Sequence, residues 1–191
     1  LDPSSFPRTP LHRATSTYLD LMRLAAAATV FAVHAYPARL TGGVPGLWRL
    51  GNLGNDAVMV FFVLSGFVIA YVAHERQLAA TNYAIDRVSR LYSVVVPAIL
   101  LTIVADAVGS HLAPALYDAN WFPTDSAVWR VAANLFFVNE LWFSSVRLFS
   151  NVPFWSLGYE FWFYVLFGAA MYLRAGYRVG ALGVAALVVG P

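Results

Sequence analysis

Long apolar stretches with very few charges dominate this chain of 191 residues. The purest of them is Ala57–Ala73, which reads AVMVFFVLSGFVIAYVA. Charged residues make up 12% of the chain, whereas soluble domains carry about 25%. A helix needs about 20 mostly apolar residues to cross the hydrocarbon layer of a membrane. Because backbone groups in lipid must be satisfied internally, these stretches predict transmembrane helices rather than strands or a soluble fold.

Six apolar segments follow one another along the chain, and they predict an all-α, polytopic transmembrane helix bundle. The segments are Tyr18–Tyr36, Ala57–Ala73, Leu91–Val108, Val128–Phe143, Pro153–Leu173 and Val179–Val189. The fourth segment is weaker because it includes Arg130, Asn134, Asn139 and Glu140. It is either a short or tilted span or a re-entrant piece buried in protein. We therefore expect five to six spans.

The chain divides into a polar tail and an apolar remainder. Residues 1–17 contain three prolines and several hydroxyl side chains, so they predict a flexible amino-terminal tail. Residues 18–191 form the predicted transmembrane domain. We expect this domain to be truncated at its carboxyl end, because a span cut after about eleven residues cannot reach across a bilayer. Cysteine is absent and no histidine pair has metal-ligand spacing, so no metal site is predicted.

The first apolar segment carries three ionisable side chains, and each costs at least about 2.5 kcal/mol at the centre of a membrane helix. Arg23 and His34 are almost three helical turns apart, so they share one face and lie roughly 16 Å apart along the axis. Asp20 lies on the same face and can neutralise Arg23. Neutral histidine accepts protons, which makes His34 a candidate general base. Alternatively, His34 only hydrogen-bonds a neighbouring helix or reaches the interface.

Two arginines, Arg87 and Arg90, precede the third segment at a spacing that places them on one helix face. The planar guanidinium group matches phosphate oxygens better than a point charge does. The pair would suit the phosphates of a nucleotide-like donor such as coenzyme A. The alternative is that both arginines are membrane anchors that contact lipid headgroups.

A polar stripe runs along the fifth segment, where Ser156, Glu160 and Tyr164 are spaced four residues apart. Glu160 would be untenable in lipid, so it is expected to face the interior of the bundle. There it could orient His34 or hold an arginine. The alternative is an internal salt bridge with no part in turnover.

Four blocks occur in an order that resembles the acyltransferase 3 family, and together they cover residues 19–164. The blocks are Leu19–Arg23 followed by His34 (LDxLR and R-x10-H), Asn55–Phe67 (ending FFVLSGF), Tyr83–Tyr92 (RxxRxY) and Trp155–Tyr164 (WSLxxE). The chain departs from the family pattern at two positions. Ser93 replaces the usual proline of the third block, and Phe161 stands where many members carry a second acid.

This resemblance implies an integral enzyme of the bacterial inner membrane with about ten spans, of which this chain would be the front half. Such enzymes transfer an acyl group, here expected to be acetyl, from acyl-CoA on the cytoplasmic side to a hydroxyl of a cell-envelope carbohydrate or glycolipid. Carried over by position, Arg23 and His34 become the catalytic pair and Arg87 with Arg90 the donor-binding pair. Glu160 becomes a supporting acid. No tightly bound cofactor and no nucleic-acid partner are expected.

A transporter or proton-coupled flippase is the alternative from another class, with His34 and Glu160 as a proton relay. This alternative predicts related halves or broken helices at matching positions. The sequence shows neither feature. Hydrolysis of acyl-CoA by membranes that contain the protein would separate the two classes.

Overall fold

Helices make up nearly all of the regular structure in the computed structural model, which describes residues 12–35, 53–75, 79–118, 121–142, 144–173 and 175–189. The helices are α1 (Arg13–Ala35), α2 (Leu53–Glu75), α3 (Ala80–Leu112), α4 (Ala127–Leu135), α5 (Trp155–Tyr172) and α6 (Ala175–Val189). Two single 3-10 turns, Pro114–Leu116 and Val152–Phe154, lie between them. Two antiparallel strands of two residues each, β1 (Glu140–Leu141) and β2 (Ser144–Ser145), form a small hairpin. The predicted all-α class is confirmed.

Within the described residues, three helices are long and apolar enough to cross a membrane: α1, residues Leu53–Ala73 of α2, and α3. Helix α3 has 33 residues, so it is about 50 Å long and exceeds the hydrocarbon layer of about 30 Å. The apolar segment predicted here begins only at Leu91, whereas the helix begins at Ala80. The additional turns therefore lie at the amino-terminal end of α3, and they carry Arg87 and Arg90.

The later segments correspond to shorter helices. Helix α4 has nine residues and a length of about 14 Å, too short to cross the bilayer. Helix α4 alone therefore does not cross the membrane, and the choice between a short or tilted span and a re-entrant piece stays a prediction for the fourth segment as a whole. The predicted fifth segment is a continuous helix, α5, of 18 residues. Helix α6 has 15 residues, and the count of five to six spans stays a prediction.

The chain forms two compact units, residues Leu1–Leu78 and Ala79–Pro191, and each is described by itself. In the first unit α1 packs along α2, and Gly54 permits a close approach. A Cβ atom at that position would lie 3.0 Å from Cγ1 of Val33. Helix α1 begins at Arg13, inside the stretch predicted as a tail, while residues 1–11 lie outside the described residues.

Large apolar side chains remain exposed on the outer faces of the first unit. Phe31 on α1 and Val63 on α2 are 75% and 72% exposed. A soluble protein would bury such side chains against another layer, whereas lipid tails solvate them. The pattern agrees with helices that face a membrane.

In the second unit, α3, α4 and α5 surround a core that includes Val95, Phe137 and Leu148, each at most 1% exposed. Phe137 has a φ angle of 58°, a left-handed conformation that non-glycine residues seldom adopt. Helix α5 holds this turn in two ways. Phe161 stacks on the Phe137 ring at 4.5 Å between centroids, and the indole N–H of Trp162 donates to the Phe137 carbonyl over 2.9 Å.

Candidate functional site

The catalytic pair predicted from the sequence lies in the first unit. Arg23 and His34 belong to the single unbroken helix α1, and both are half-buried. Their axial separation is therefore roughly 16 Å, so the two side chains do not act on the same atom. Asp20 Oδ1 lies 4.0 Å from Arg23 Nη1, which agrees with the predicted local pairing. The Asp20 side chain is 71% exposed, so this ion pair contributes little to stability.

Arg23 is directed toward α2. Its guanidinium carbon lies 5.6 Å from the centroid of the Phe61 ring, a cation–π geometry. The Nε atom of Arg23 is buried and has no hydrogen-bond partner among the described residues. Arg23 is thus a cation held between two apolar helices.

The predicted donor-binding arginines lie in the second unit, on the amino-terminal turns of α3. Arg87 is half-buried, whereas Arg90 is exposed. The guanidinium carbon of Arg87 lies 6.0 Å from the centroid of the Tyr83 ring, one turn earlier on α3. It also lies 5.7 Å from the centroid of the Tyr164 ring on α5. Arg87 is therefore placed between two helices, while Arg90, one turn later on α3, is exposed.

A cavity of about 260 Å³ opens beside Arg87, between the amino-terminal part of α3 and the carboxyl-terminal part of α5. Its walls are mainly apolar and aromatic, and they include Phe161, Val165 and Tyr172. Of the described residues that line the cavity, Arg87 alone carries a charge. An apolar cavity with one cation suits a ligand that has an uncharged arm and an anionic group.

Glu160 lies on α5 and is half-buried. Its Oε1 atom accepts a hydrogen bond from the hydroxyl of Tyr164, the tyrosine whose ring faces Arg87. Neither of the two salt bridges within the described residues involves Glu160. Ser156, the third member of the predicted polar stripe, does not join this pair. Its hydroxyl donates instead to the carbonyl of Pro153 over 3.1 Å. Glu160 reaches Arg87 only through Tyr164, and its relation to His34 stays a prediction.

Tyr83, a residue with no role predicted from the sequence, is buried at 5% exposure. Its hydroxyl donates to the carbonyl oxygen of Tyr164 over 3.0 Å. Its ring also lies 5.5 Å from the ring of Tyr172. The only local signal is the spacing of four residues between Tyr83 and Arg87, which places both on one helix face. The contacts with α5 have no local signal.

A second polar cluster, also missed by the sequence analysis, joins the carboxyl-terminal end of α3 to the segment before α5. Asp106 is buried at 6% exposure. Its Oδ1 atom accepts a hydrogen bond from the Tyr117 hydroxyl over 3.2 Å, and its Oδ2 atom accepts one from the Ser150 amide over 3.1 Å. Asn151 donates its side-chain amide to Thr102 Oγ1 over 3.0 Å. Burial and the neighbouring Asp106 carboxyl group raise the pKa of Tyr117. The cluster has a structural role.

Ionisable groups between α3 and α5 are also held by local contacts. Arg130 donates from Nε to Asp125 and from Nη1 to the carbonyl of Arg147 over 2.9 Å. The hydrogen bond from Arg130 lowers the pKa of Asp125. Burial raises the pKa of Glu140, and a hydrogen bond donated by Ser145 opposes that change. These groups fasten the segment rather than form a cleft.

The model of the acyltransferase 3 family, described as an acyltransferase domain, matches residues 16–190. The chain belongs to this family.

Two curated relatives are similar to this chain over part of their length. The exopolysaccharide production protein ExoZ of Rhizobium meliloti (strain 1021) is 31% identical over 130 residues, which cover 67% of this chain and 38% of ExoZ. The acyltransferase MdmB of Streptomyces mycarofaciens is 29% identical over 152 residues, which cover 76% of this chain and 36% of MdmB. The chain thus spans less than two fifths of each relative. No solved structure matches it significantly.

Proposed function

We propose that the complete protein is an integral membrane acyltransferase that moves an acyl group, acetyl in our expectation, from acyl-CoA to a hydroxyl of a cell-envelope carbohydrate. The family match over residues 16–190 is the observation that carries the proposal. The names of the relatives support it, since one is an acyltransferase and the other acts in exopolysaccharide production. A bacterial inner membrane is the location that fits an acyl-CoA donor and an exported acceptor.

Arg87 and Arg90 are the proposed contacts for the phosphates of the donor. Guanidinium groups bind phosphate oxygens through charge-assisted, often bidentate hydrogen bonds. The adjacent apolar cavity has a volume of about 260 Å³ and would receive the uncharged pantetheine arm. Arg87 lies at the cavity and Arg90 is exposed, so the two arginines can contact different parts of the donor.

The short helix α4 supports one orientation in the membrane. If α4 does not cross the membrane and the amino terminus is cytoplasmic, the segment between α3 and α5 lies outside. The chain then returns to the cytoplasm through α5. Seven arginines then lie on the cytoplasmic side and four outside, in agreement with the positive-inside rule. The cytoplasmic set is Arg8, Arg13, Arg76, Arg87, Arg90, Arg174 and Arg178, and the outside set is Arg39, Arg49, Arg130 and Arg147. The proposed donor site is then cytoplasmic.

His34 is the proposed general base. Its imidazole takes the proton from the acceptor hydroxyl while that oxygen attacks the thioester carbonyl. The new C–O bond forms, the C–S bond breaks, and the coenzyme A thiolate leaves with the proton returned from the imidazolium. A general base contributes a rate factor of about 10² to 10⁴. Arg23, roughly three turns away, is proposed to support catalysis from a distance, and Glu160 acts through Tyr164.

The proposal is tested by the ester-linked acetyl on isolated envelope polysaccharide, measured by mass spectrometry. Cells express the complete wild-type protein, His34→Ala or the control His111→Ala at matched membrane levels. His111 is an exposed histidine near the end of α3 and suits the control. We expect His34→Ala to lose the acetyl signal and His111→Ala to retain it.

Two other outcomes would change the assignment. If acetyl persists in His34→Ala, His34 is not the base. If the complete wild-type protein adds no acyl group and its membranes hydrolyse no acyl-CoA, the acyltransferase proposal fails. The proton-coupled flippase with His34 and Glu160 as a relay would then be the better explanation.

A further inference from the structure

Arg87 lies in a cage made by two tyrosines of different helices. Its guanidinium carbon is 6.0 Å from the Tyr83 ring centroid and 5.7 Å from the Tyr164 ring centroid. Both tyrosines are buried, at 5% and 7% exposure. The Tyr83 hydroxyl donates to the backbone carbonyl of Tyr164 over 3.0 Å, so the Tyr83 ring is held against α5. We call Tyr83 and Tyr164 the tyrosine clamp.

The position of Arg87 is unusual for a structural arginine. Buried or half-buried charges are normally paired with an opposite charge. The two salt bridges within the described residues are Arg23–Asp20 and Arg130–Asp125, so Arg87 takes part in neither. Its Nε atom is buried and has no hydrogen-bond partner there. The tyrosine clamp offers only the electron-rich ring faces, which attract a cation without neutralising it.

A cation held in this way retains its capacity to bind an anion. A free arginine side chain must lose rotamer freedom when it binds a ligand, and a side chain already fixed avoids that loss. The carboxyl group of Glu160 contributes indirectly to the position of Arg87. It accepts a hydrogen bond from the Tyr164 hydroxyl and so fixes the Tyr164 ring. Arg87 also lines the apolar cavity, so this side chain is next to a place where a ligand could lie.

We propose that Tyr83 and Tyr164 are positioning residues which hold the Arg87 guanidinium beside the cavity for a phosphate group of the acyl donor. The proposal rests on the proposed function, because that function supplies an acyl-CoA donor. A lipid headgroup presents the same phosphate chemistry to Arg87. The two sources can be separated with acetyl-pantetheine, which lacks the phosphates and the adenosine of acetyl-CoA. A donor phosphate at Arg87 affects KM for acetyl-CoA alone, whereas a lipid headgroup at Arg87 affects both donors equally.

The test measures KM and kcat of the complete protein in membranes with acetyl-CoA and with acetyl-pantetheine. Tyr83→Leu removes one ring of the tyrosine clamp, whereas Tyr83→Phe keeps the ring and removes only the hydroxyl. Tyr92→Leu is the matched control, since Tyr92 also lies on α3 and donates to a backbone carbonyl, that of Leu135, over 3.1 Å. Tyr92 also packs against an aromatic ring, that of Phe137, with centroids 5.6 Å apart.

We expect Tyr83→Leu to raise KM for acetyl-CoA about tenfold, the order of the rotamer freedom that an Arg87 side chain no longer held in place must lose on binding. Its kcat at saturation stays within about twofold, because a contact made equally in ground and transition states changes KM alone. KM for acetyl-pantetheine stays unchanged. Tyr83→Phe restores the KM for acetyl-CoA to within about twofold of wild type. Tyr92→Leu leaves both KM values unchanged.

Three results would overturn the tyrosine clamp. An unchanged KM for acetyl-CoA in Tyr83→Leu means that the ring does not position Arg87. An equal rise with both donors means a general structural effect or a lipid headgroup at Arg87. Failure of Tyr83→Phe to restore KM means that the ring face is not the feature that matters.

A folding defect and a failed function are both distinguishable from these results. If Tyr83→Leu does not reach the membrane folded, Tyr83→Met replaces it, since methionine is also unbranched at Cβ and lacks a ring, and the same outcomes apply. If the wild-type protein transfers nothing from acetyl-CoA, the proposed function is wrong, and the tyrosine clamp falls with it. An active wild type whose KM is indifferent to Tyr83 overturns the tyrosine clamp alone.

Discussion

Replacement of Asp106 by alanine should release the segment that follows α3. Asp106 is 6% exposed, and its two carboxyl oxygens accept the Tyr117 hydroxyl and the Ser150 amide. Ser150 is 44 residues further along the chain, so a single side chain joins both ends of the connection between α3 and α5. Alanine removes both acceptors and leaves the Ser150 N–H without a partner.

The expected loss follows from the two hydrogen bonds. Each contributes about 0.5–1.5 kcal/mol if the acceptor is neutral and about 1.5–3 kcal/mol if it is charged. Their lengths of 3.2 and 3.1 Å favour the lower part of these ranges. We therefore expect Asp106→Ala to lower the free energy of unfolding by about 2–4 kcal/mol. Asp106→Asn keeps one acceptor oxygen and should lose about half of that.

Thermal unfolding of the complete protein in detergent, followed by far-UV circular dichroism, measures the effect as a fall in Tm of about 2–5 °C for Asp106→Ala, since Tm shifts less in a longer protein. Limited proteolysis between residues 113 and 126 should accelerate in parallel, because the released segment is more accessible. Asp118→Ala is the matched control. The Asp118 carboxyl group lies in the same segment, is exposed, and accepts one hydrogen bond, from the Trp121 amide over 3.1 Å.

The comparison with the control decides the matter. Asp118→Ala removes one exposed hydrogen bond and should cost less than about 1 kcal/mol. If Asp106→Ala lowers Tm by no more than Asp118→Ala and leaves proteolysis unchanged, the Asp106 cluster does not hold this segment. The assignment of a structural role to Asp106 would then be wrong.

Two further predictions concern packing and pH. Gly158→Ala should destabilise the protein by about 1–2 kcal/mol net, because the new Cβ would lie 2.8 Å from Oδ1 of the buried Asn139. Gly176→Ala is the control, since a Cβ there meets nothing within 4 Å. Equal Tm values in the two variants would refute the clash. The lowered pKa of Asp125 means that its bond to Arg130 stabilises the fold above the ordinary pKa of a carboxyl group and ceases to do so as pH falls through the lowered value. The Tm difference between wild type and Asp125→Asn should therefore be present at neutral pH and vanish in acid, and a difference independent of pH would contradict this.

Local patterns of the sequence determined the helices and the pairs within them. The run Ala57–Ala73 predicts a membrane helix by composition alone, and α2 contains all of it. The Asp20–Arg23 pair follows from the helical period, because residues three apart meet whatever surrounds the helix. The same reasoning places Glu160 and Tyr164 together on α5. Such signals need only neighbours in sequence.

Hydropathy left the fourth segment open, because polar and apolar residues alternate there in a short stretch. The segment Val128–Phe143 has enough apolar residues for a weak span, yet α4 ends at Leu135 and a hairpin follows. The turn after α4 depends on Phe137, whose left-handed backbone is held by stacking on Phe161 and by Trp162. These partners come from α5, so no window around residue 137 could reveal them.

The arrangement around Arg87 was decided by the tertiary structure alone. The sequence indicated that Arg87 and Arg90 share a face, but it did not show that one is half-buried and the other exposed. That difference arises because Tyr164 is brought from α5 to the side of α3, 81 residues away from its hydrogen-bond partner Tyr83. The helical period fixes which residues of one helix point the same way, whereas the residue they meet depends on how two helices pack.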